Sequence, residues 1–545
     1  MDPMTRLLSL TLAAAVGAAP LSAQGDGEPP PLNDRERAAH VLNRLAYGPR
    51  PGDIERVMEI GVEAWIEEQL TPSEDLGVRL EAKLERFETL GLTVAECSKF
   101  VLEGAPMGED PESRRERRLM RRKPVDELME AVPLRAALSE RQLDEVMADF
   151  WRNHFNVSFT KGQAIWTQLP HYEASVVQAH LWGRFPDMLV ASATHPAMLH
   201  YLDNHLSRKP PTEQQLKQIE RRERQRTGSE QRGEEAAAIA AQRGLNENYA
   251  RELLELHTLG VDNYYEQDDV IAVAEILTGW TFTQGRNASY EYVFRPNLHA
   301  EGDRKVLGKR LREDEEGGNA QGMELLEMLG EHKGTADFVA MKMVRYLVAD
   351  EPPQDLVEEV AKTYRKTDGD IPSMVRTIID SEEFWSRDHV GTKFKTPYEY
   401  LVSALRAVDA DIQSLDRLEG YLRDMGQPVY HCDDPTGYYD TAYAWLDPGV
   451  MALRWQFATD LAAGKIRGVR IPDTLYDRIP SHVPPELWQH HLTRMILPGG
   501  AGERTRAALA TVTSEYLAMH RNPDLYELGP RLVGLLLGSP EFQKQ

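Results

Sequence analysis

Cysteine is nearly absent from this 545-residue chain, and the two present, Cys97 and Cys432, lie far apart. Two thiols cannot build a structural zinc site, which takes four ligands drawn largely from cysteine. They leave open one long-range disulfide or two free buried thiols. Positive charge is also in short supply, with 63 Lys and Arg against 87 Asp and Glu and a formal net charge of −24. Such an excess of anions argues against nucleic acid and anionic membranes as partners, since both attract basic surfaces. After the opening segment no uncharged apolar run approaches the ~20 residues that a spanning helix needs, so no transmembrane segment is expected in the mature chain. Also missing are a Gly-rich phosphate loop ending in Lys-Ser/Thr, a Gly-x-Ser-x-Gly elbow and a His-Glu-x-x-His helix, which removes three common enzyme classes.

What is present begins with a secretory pattern over residues 1–23. Arg6 precedes an apolar run from Leu7 to Ala19, and Leu21-Ser22-Ala23 ahead of Gln24 offers a small-residue cleavage site. Met4 suits a start better than Met1, because Asp2 weakens the positive leader. We expect export to a periplasm or the outside of the cell, with residues 24–32 as a flexible linker.

Amphipathic segments bounded by Pro and Gly dominate the remainder and predict a mainly α fold, a large multi-helix globular body. Asn33 or Asp34 opens a helix with Ala39, Leu42 and Leu45 on one side, Gly48-Pro49 breaks it, and Pro51-Gly52-Asp53 starts the next. The one stretch with strand character is 281–294, read as a short β-hairpin. We divide the chain into an N-terminal helical part, 33–204, a charged exposed insertion, 205–243, and a C-terminal helical part, 244–545, packed on the first as one body. The insertion is rich in Lys, Arg, Glu and Gln and poor in large apolar residues, so it buries little and reads as an exposed loop or projecting helix pair, and as a candidate lid. The arginines at 114, 115, 117, 118, 121 and 122 read as a solvated helix face or as a dock for acidic glycans. Ile378 to Phe384 is echoed by Leu536 to Phe542, a hint of a repeated unit. The loop over 427–445, full of Pro, Gly, Asp and Tyr, is too long and aromatic for a plain connector and is expected to cover core or line a cleft.

Chemistry concentrates in Leu245-Asn246-Glu247-Asn248-Tyr249-Ala250-Arg251-Glu252-Leu253-Leu254-Glu255-Leu256-His257. Asn246 or Asn248 can cap this helix and Gly260 can end it. At ~3.6 residues per turn, Asn248, Glu252 and Glu255 share a stripe beside an apolar face. Helical bundles present metal-binding carboxylates this way, although Glu252 and Glu255 could equally pair with Arg251 or Arg152.

With the Leu277-Thr278-Gly279-Trp280 helix end, Phe150-Trp151-Arg152-Asn153-His154-Phe155, Tyr201-Leu202-Asp203-Asn204, Lys395-Thr396-Pro397 and Pro435-Thr436-Gly437-Tyr438, this run resembles the signature of the bacterial domain-of-unknown-function family 1800. The likeness spans nearly the whole mature chain. Members of that family commonly carry His-Asp where this chain has His299-Ala300, leaving Glu301 or Asp303 as nearby carboxylates. The resemblance implies no particular activity.

The residues themselves propose a site. Asn246, Asn248, Arg251, Glu252, Glu255 and His257 are the catalytic candidates, and His154, His180, Asp203, Glu252 and His299 are candidate ligands for a transition-metal ion that would activate water or dioxygen. The expectation is a metal-dependent hydrolytic or oxidative enzyme. The alternatives are a non-catalytic scaffold acting with a co-secreted protein, or a surface protein holding acidic glycans.

Overall fold

The computed structural model describes residues 30–545 apart from 72, 74, 243, 262, 286–287 and 314–317. The segment expected to be a secretory leader, most of the expected linker and the tip of the 281–294 hairpin therefore lie outside the described residues. Helix dominates as the amphipathic pattern predicts, and the described strands form only three two-stranded antiparallel pairs. The pair read from sequence joins Trp280–Phe282 to Tyr292–Phe294, with Trp280 opposite Phe294. The other two, Arg304–Val306 with Lys309–Leu311 and Asp411–Ile412 with Val469–Arg470, escaped the sequence reading because two or three residues are too few to display a period of two.

Local chemistry explains where the helices begin. Asn33 and Glu36 form a reciprocal capping box at Asp34–Arg44, and Thr396 with Glu399 does the same at Pro397–Ala407. The echoed segments adopt the same local turn. Ser381 Oγ donates to the Ile378 carbonyl and accepts from Phe384 N, while Ser539 Oγ donates to the Leu536 carbonyl and accepts from Phe542 N.

A single cluster of buried apolar side chains runs from Ala38 to Phe542, so residues before and after the insertion share one core. Its centre is aromatic: Trp151 lies 5.8 Å from Phe185 and Phe155 stacks on the same ring at 5.8 Å. The insertion is a helical hairpin, Glu213–Thr227 and Glu230–Gln242, turned at Gly228 (φ +70°), with no buried residue in its first helix. The helices approach so closely that a Cβ on Gly233 would stand 2.8 Å from the Glu220 carbonyl oxygen. Its stems meet where Arg208 N donates to the Gly244 carbonyl at 3.3 Å. The residues leading into it belong to the body: Ser207 is buried and its Oγ accepts from Asn246 N, and Lys209 N donates to the Leu298 carbonyl.

The expected unbroken helix to Gly260 is corrected. An α-helix, Glu247–Glu252, passes into a π-turn, Leu253–Thr258, in which Leu259 N reaches back five residues to the Leu254 carbonyl. A second π-turn occupies Glu173–Gln178. Such turns insert a residue into the helical count, which re-aims the side chains that follow. Among the described residues no helix is long and apolar enough to cross a membrane.

Candidate functional site

The segments that carry the distinctive wording meet at the loop over 427–445. Asn153 holds that loop with both ends of its amide, donating to the Tyr438 carbonyl at 2.8 Å and accepting from Tyr438 N at 2.7 Å. Asn156 donates to the Cys432 and Asp434 carbonyls, and the Tyr201 hydroxyl to the Asp433 carbonyl. Gly437 (φ +78°) makes this clamp feasible, because a Cβ there would stand 2.5 Å from the Asn153 carbonyl oxygen. Asn204 donates to the Leu277 and Trp280 carbonyls and so ties in the Thr-Gly-Trp turn.

Beneath the loop lies a network of buried charge. Arg152 makes a bidentate pair with Glu173, at 3.0 and 2.9 Å, and a third contact of 3.2 Å to Asp149. Glu173 also accepts from the Tyr430 hydroxyl at 2.5 Å and from Gln178 at 2.9 Å. Burial pushes the Glu173 carboxyl up, but Arg152 and the other donors outweigh it and hold the group at about 2. Asp149 has the opposite balance: burial raises it to about 7 against the pull of Arg152. A cavity of about 30 Å³ sits among Asp149, Arg152, Asn156, Tyr398, Tyr430 and Tyr438, room enough for a water.

The six residues expected to act in catalysis divide sharply. Asn246 is the helix cap, accepting from Tyr249 N and donating to the Leu202 carbonyl, while Asn248 is exposed. Arg251 pairs with Glu255 at 3.2 Å and donates to Gln267, and Glu255 also accepts from the Tyr265 hydroxyl at 2.6 Å. Buried His257 is lowered to about 3, by burial and then by the Lys342 charge. Glu252 stands apart. It is half-buried, and among the described residues no hydrogen bond or ion pair reaches its carboxylate. Its pKa is raised, by burial first and then by the charges of Glu255 and Asp434. Asp434, in the clamped loop, is therefore its electrostatic neighbour, and Tyr201 feels the charges of both. Arg152, an expected partner of Glu252, is committed to Glu173 and Asp149.

The expected metal ligands other than Glu252 are held by other partners. His154 accepts from Lys342 at Nδ1, 3.1 Å, and donates from Nε2 to the His257 carbonyl at 3.2 Å. Burial and the Lys342 ammonium drive its pKa well down, and a cation already occupies its lone pair. His180 bonds within its own helix, to the Val176 carbonyl, and Asp203 pairs with Lys161 at 2.6 Å. His299 bonds Thr278 through Nδ1, and its Nε2 lies 2.1 Å from where a Cβ on Gly318 would stand. Among the described residues no three His, Cys, Asp or Glu side chains gather as a metal set. Both cysteines are free thiols.

Sequence reasoning passed over Asp149, Glu173, Lys342 and Asp434, all of which bear on this region. Only the composition of the 427–445 loop pointed to Asp434.

Residues 40–544 match the family described as Protein of unknown function (DUF1800). The chain belongs to that family. No curated protein and no solved structure matches it. The DUF1800 match begins at His40, whose Nε2 bonds the Phe384 carbonyl at 2.7 Å, and runs into the C-terminal segment that pairs with Lys395, so it covers both flanks of the shared core.

Proposed function

We propose that this DUF1800 protein is an acid–base hydrolase acting outside the cytoplasm, with Glu252 as proton donor and Asp434 orienting the attacking water. The observation that carries the reading is the unpaired, half-buried Glu252 carboxylate with its raised pKa. A carboxylic acid is an effective donor when burial and like charge keep its proton on toward neutral pH. Two carboxylates close enough to feel each other's charge suit hydrolysis of a glycosidic bond, where one protonates the leaving oxygen and the other activates water. The carboxylates of Glu255 and Asp434 beside Glu252 favour a neutral or cationic substrate over an anionic one. Adjacency to a π-turn agrees with the frequent occurrence of such turns at functional sites. The donor set around Glu252 supports this reading better than a metal centre, because its nearest charged neighbours are carboxylates and an arginine rather than imidazoles.

The test has two parts. Carboxyl NMR of the wild type should show Glu252 titrating above the ordinary glutamate range. Against chromogenic glycosides, esters and amides, Glu252→Gln should lower kcat by ~10²–10⁴-fold while leaving the urea midpoint within ~0.5 kcal/mol of wild type. A normal Glu252 titration, or an unchanged rate in the glutamine variant, would sink the proposal and favour the scaffold reading.

A further inference from the structure

On the far side of the N-terminal helices, charge runs against the composition of the chain. A cavity of about 190 Å³ is lined by Arg35, Arg50, Arg478, His491 and Arg494, with Glu55 as its one carboxylate. The arginines come from sequence positions up to 459 residues apart, 35 and 494, and fold onto one hollow. Arg35 pairs with Glu55 at 3.0 Å, and Arg50 with Glu140 at 2.9 Å. Arg50 is further fixed by the carbonyls of Ala137, Leu138 and Ser139, which leave its charge in place while orienting it. Arg478 and Arg494 make no ion pair among the described residues, although the Arg494 charge reaches Glu55. The Arg478 guanidinium passes over Gly52, 3.6 Å from where a Cβ would stand.

Arg35 and Arg50 are answered by Glu55 and Glu140, whereas Arg478 and Arg494 bring positive charge to the same hollow without an ion pair of their own, so the arrangement lowers its energy by accepting a counter-charge. Arginine is the side chain whose planar fork matches phosphate and sulfate oxygens. The helix Asp53–Ile60 opens beside the cavity, but Asp53 and Glu55 in its first turn offset its dipole, so the positive field comes from the arginines. We propose that this cavity is a binding site for a compact oxyanion, a phosphate or sulfate monoester, held chiefly by Arg478 and Arg494 against Arg35 and Arg50.

Size and charge define the ligand class. The hollow is smaller than the ~300–1,000 Å³ of drug-sized sites, so it takes one anionic group and a small part of what bears it. An extended polyanion would have to cross the surface of a chain whose net charge is −24, which at a Debye length of ~8 Å repels it just beyond the cavity rim. This site includes none of the groups around Glu252 and stands or falls independently of them.

Titration calorimetry of the full chain at low ionic strength provides the test, with inorganic phosphate and inorganic sulfate as probes. One equivalent should bind with a dissociation constant of about 1 mM or tighter. The double variant Arg478→Gln/Arg494→Gln removes two exposed side chains, so it should keep its urea midpoint while affinity falls roughly tenfold or more. Phenyl phosphate and phenyl sulfate then distinguish the two sources of the oxyanion. No binding at about 10 mM phosphate or sulfate, equal competition by chloride, or an unchanged affinity in the double variant would each overturn the assignment.

Discussion

Replacing Glu173 by glutamine keeps the shape of the side chain but removes the charge that Arg152 was buried to meet. Both partners are 8% exposed in their side chains, so water cannot take over the role of the carboxylate. The cost can be reached by two routes. Breaking a buried pair from one side typically costs ~3–5 kcal/mol, and here the lower end applies because Asp149 remains 3.2 Å from the guanidinium. Independently, a carboxyl carried from 4.5 to about 2 by folding corresponds to ~3 kcal/mol. The two figures agree. The sign also follows: a depressed carboxylate pKa stabilises the fold fully above the unfolded value and loses that stabilisation as pH falls through the folded one. Urea denaturation of wild type and variant should therefore differ by ~3 kcal/mol at neutral pH, with the gap closing from about 4.5 down to about 2. Because the Tyr430 hydroxyl also loses a charged acceptor, limited proteolysis should cut the 427–445 loop faster in the variant. A neutral-pH gap below ~1 kcal/mol, or one that persists at the acid end, would show that Arg152 and Glu173 are not coupled as described.

Lys395 is buried, donates to Ser403 Oγ and the Phe542 carbonyl, and has its pKa lowered from 10.5 to about 7 by burial. Above 7 the folded amine is neutral while the unfolded chain still binds a proton, so stability contributed by this site rises with pH up to 10.5. Urea midpoints measured from about pH 6.5 to 9.5 should climb less in Lys395→Met than in wild type, and parallel slopes would contradict the assignment. Excising residues 212–242 and bridging the cut with a short linker should shift stability by no more than ~0.5 kcal/mol, because the stems already touch at 3.3 Å between Arg208 and Gly244. Ser207→Ala, by contrast, should cost ~1–3 kcal/mol by leaving Asn246 N without its acceptor; equal effects in the two variants would mean that the hairpin packs on the body.

The sequence alone determined the helical class, the 281–294 hairpin and membership of DUF1800, because each depends on local period, capping chemistry or ordered wording. Asn33 beside Glu36 and Thr396 beside Glu399 announce helix starts whatever lies around them. Periodicity also assigned Glu252 to the edge of an apolar face, but it could not say which charge would answer it. Tertiary structure decided that Arg152 meets Glu173 and leaves Glu252 unpaired, that His154, His180 and His299 serve separate partners, and that arginines 35 and 494 share a cavity. Even the helical count failed at the π-turn, since a residue inserted there responds to packing that the local pattern does not carry. Hydrophobic burial is non-directional and readable from pattern, whereas polar pairing requires specific atoms within about 3 Å, and that proximity arises only after distant segments have packed.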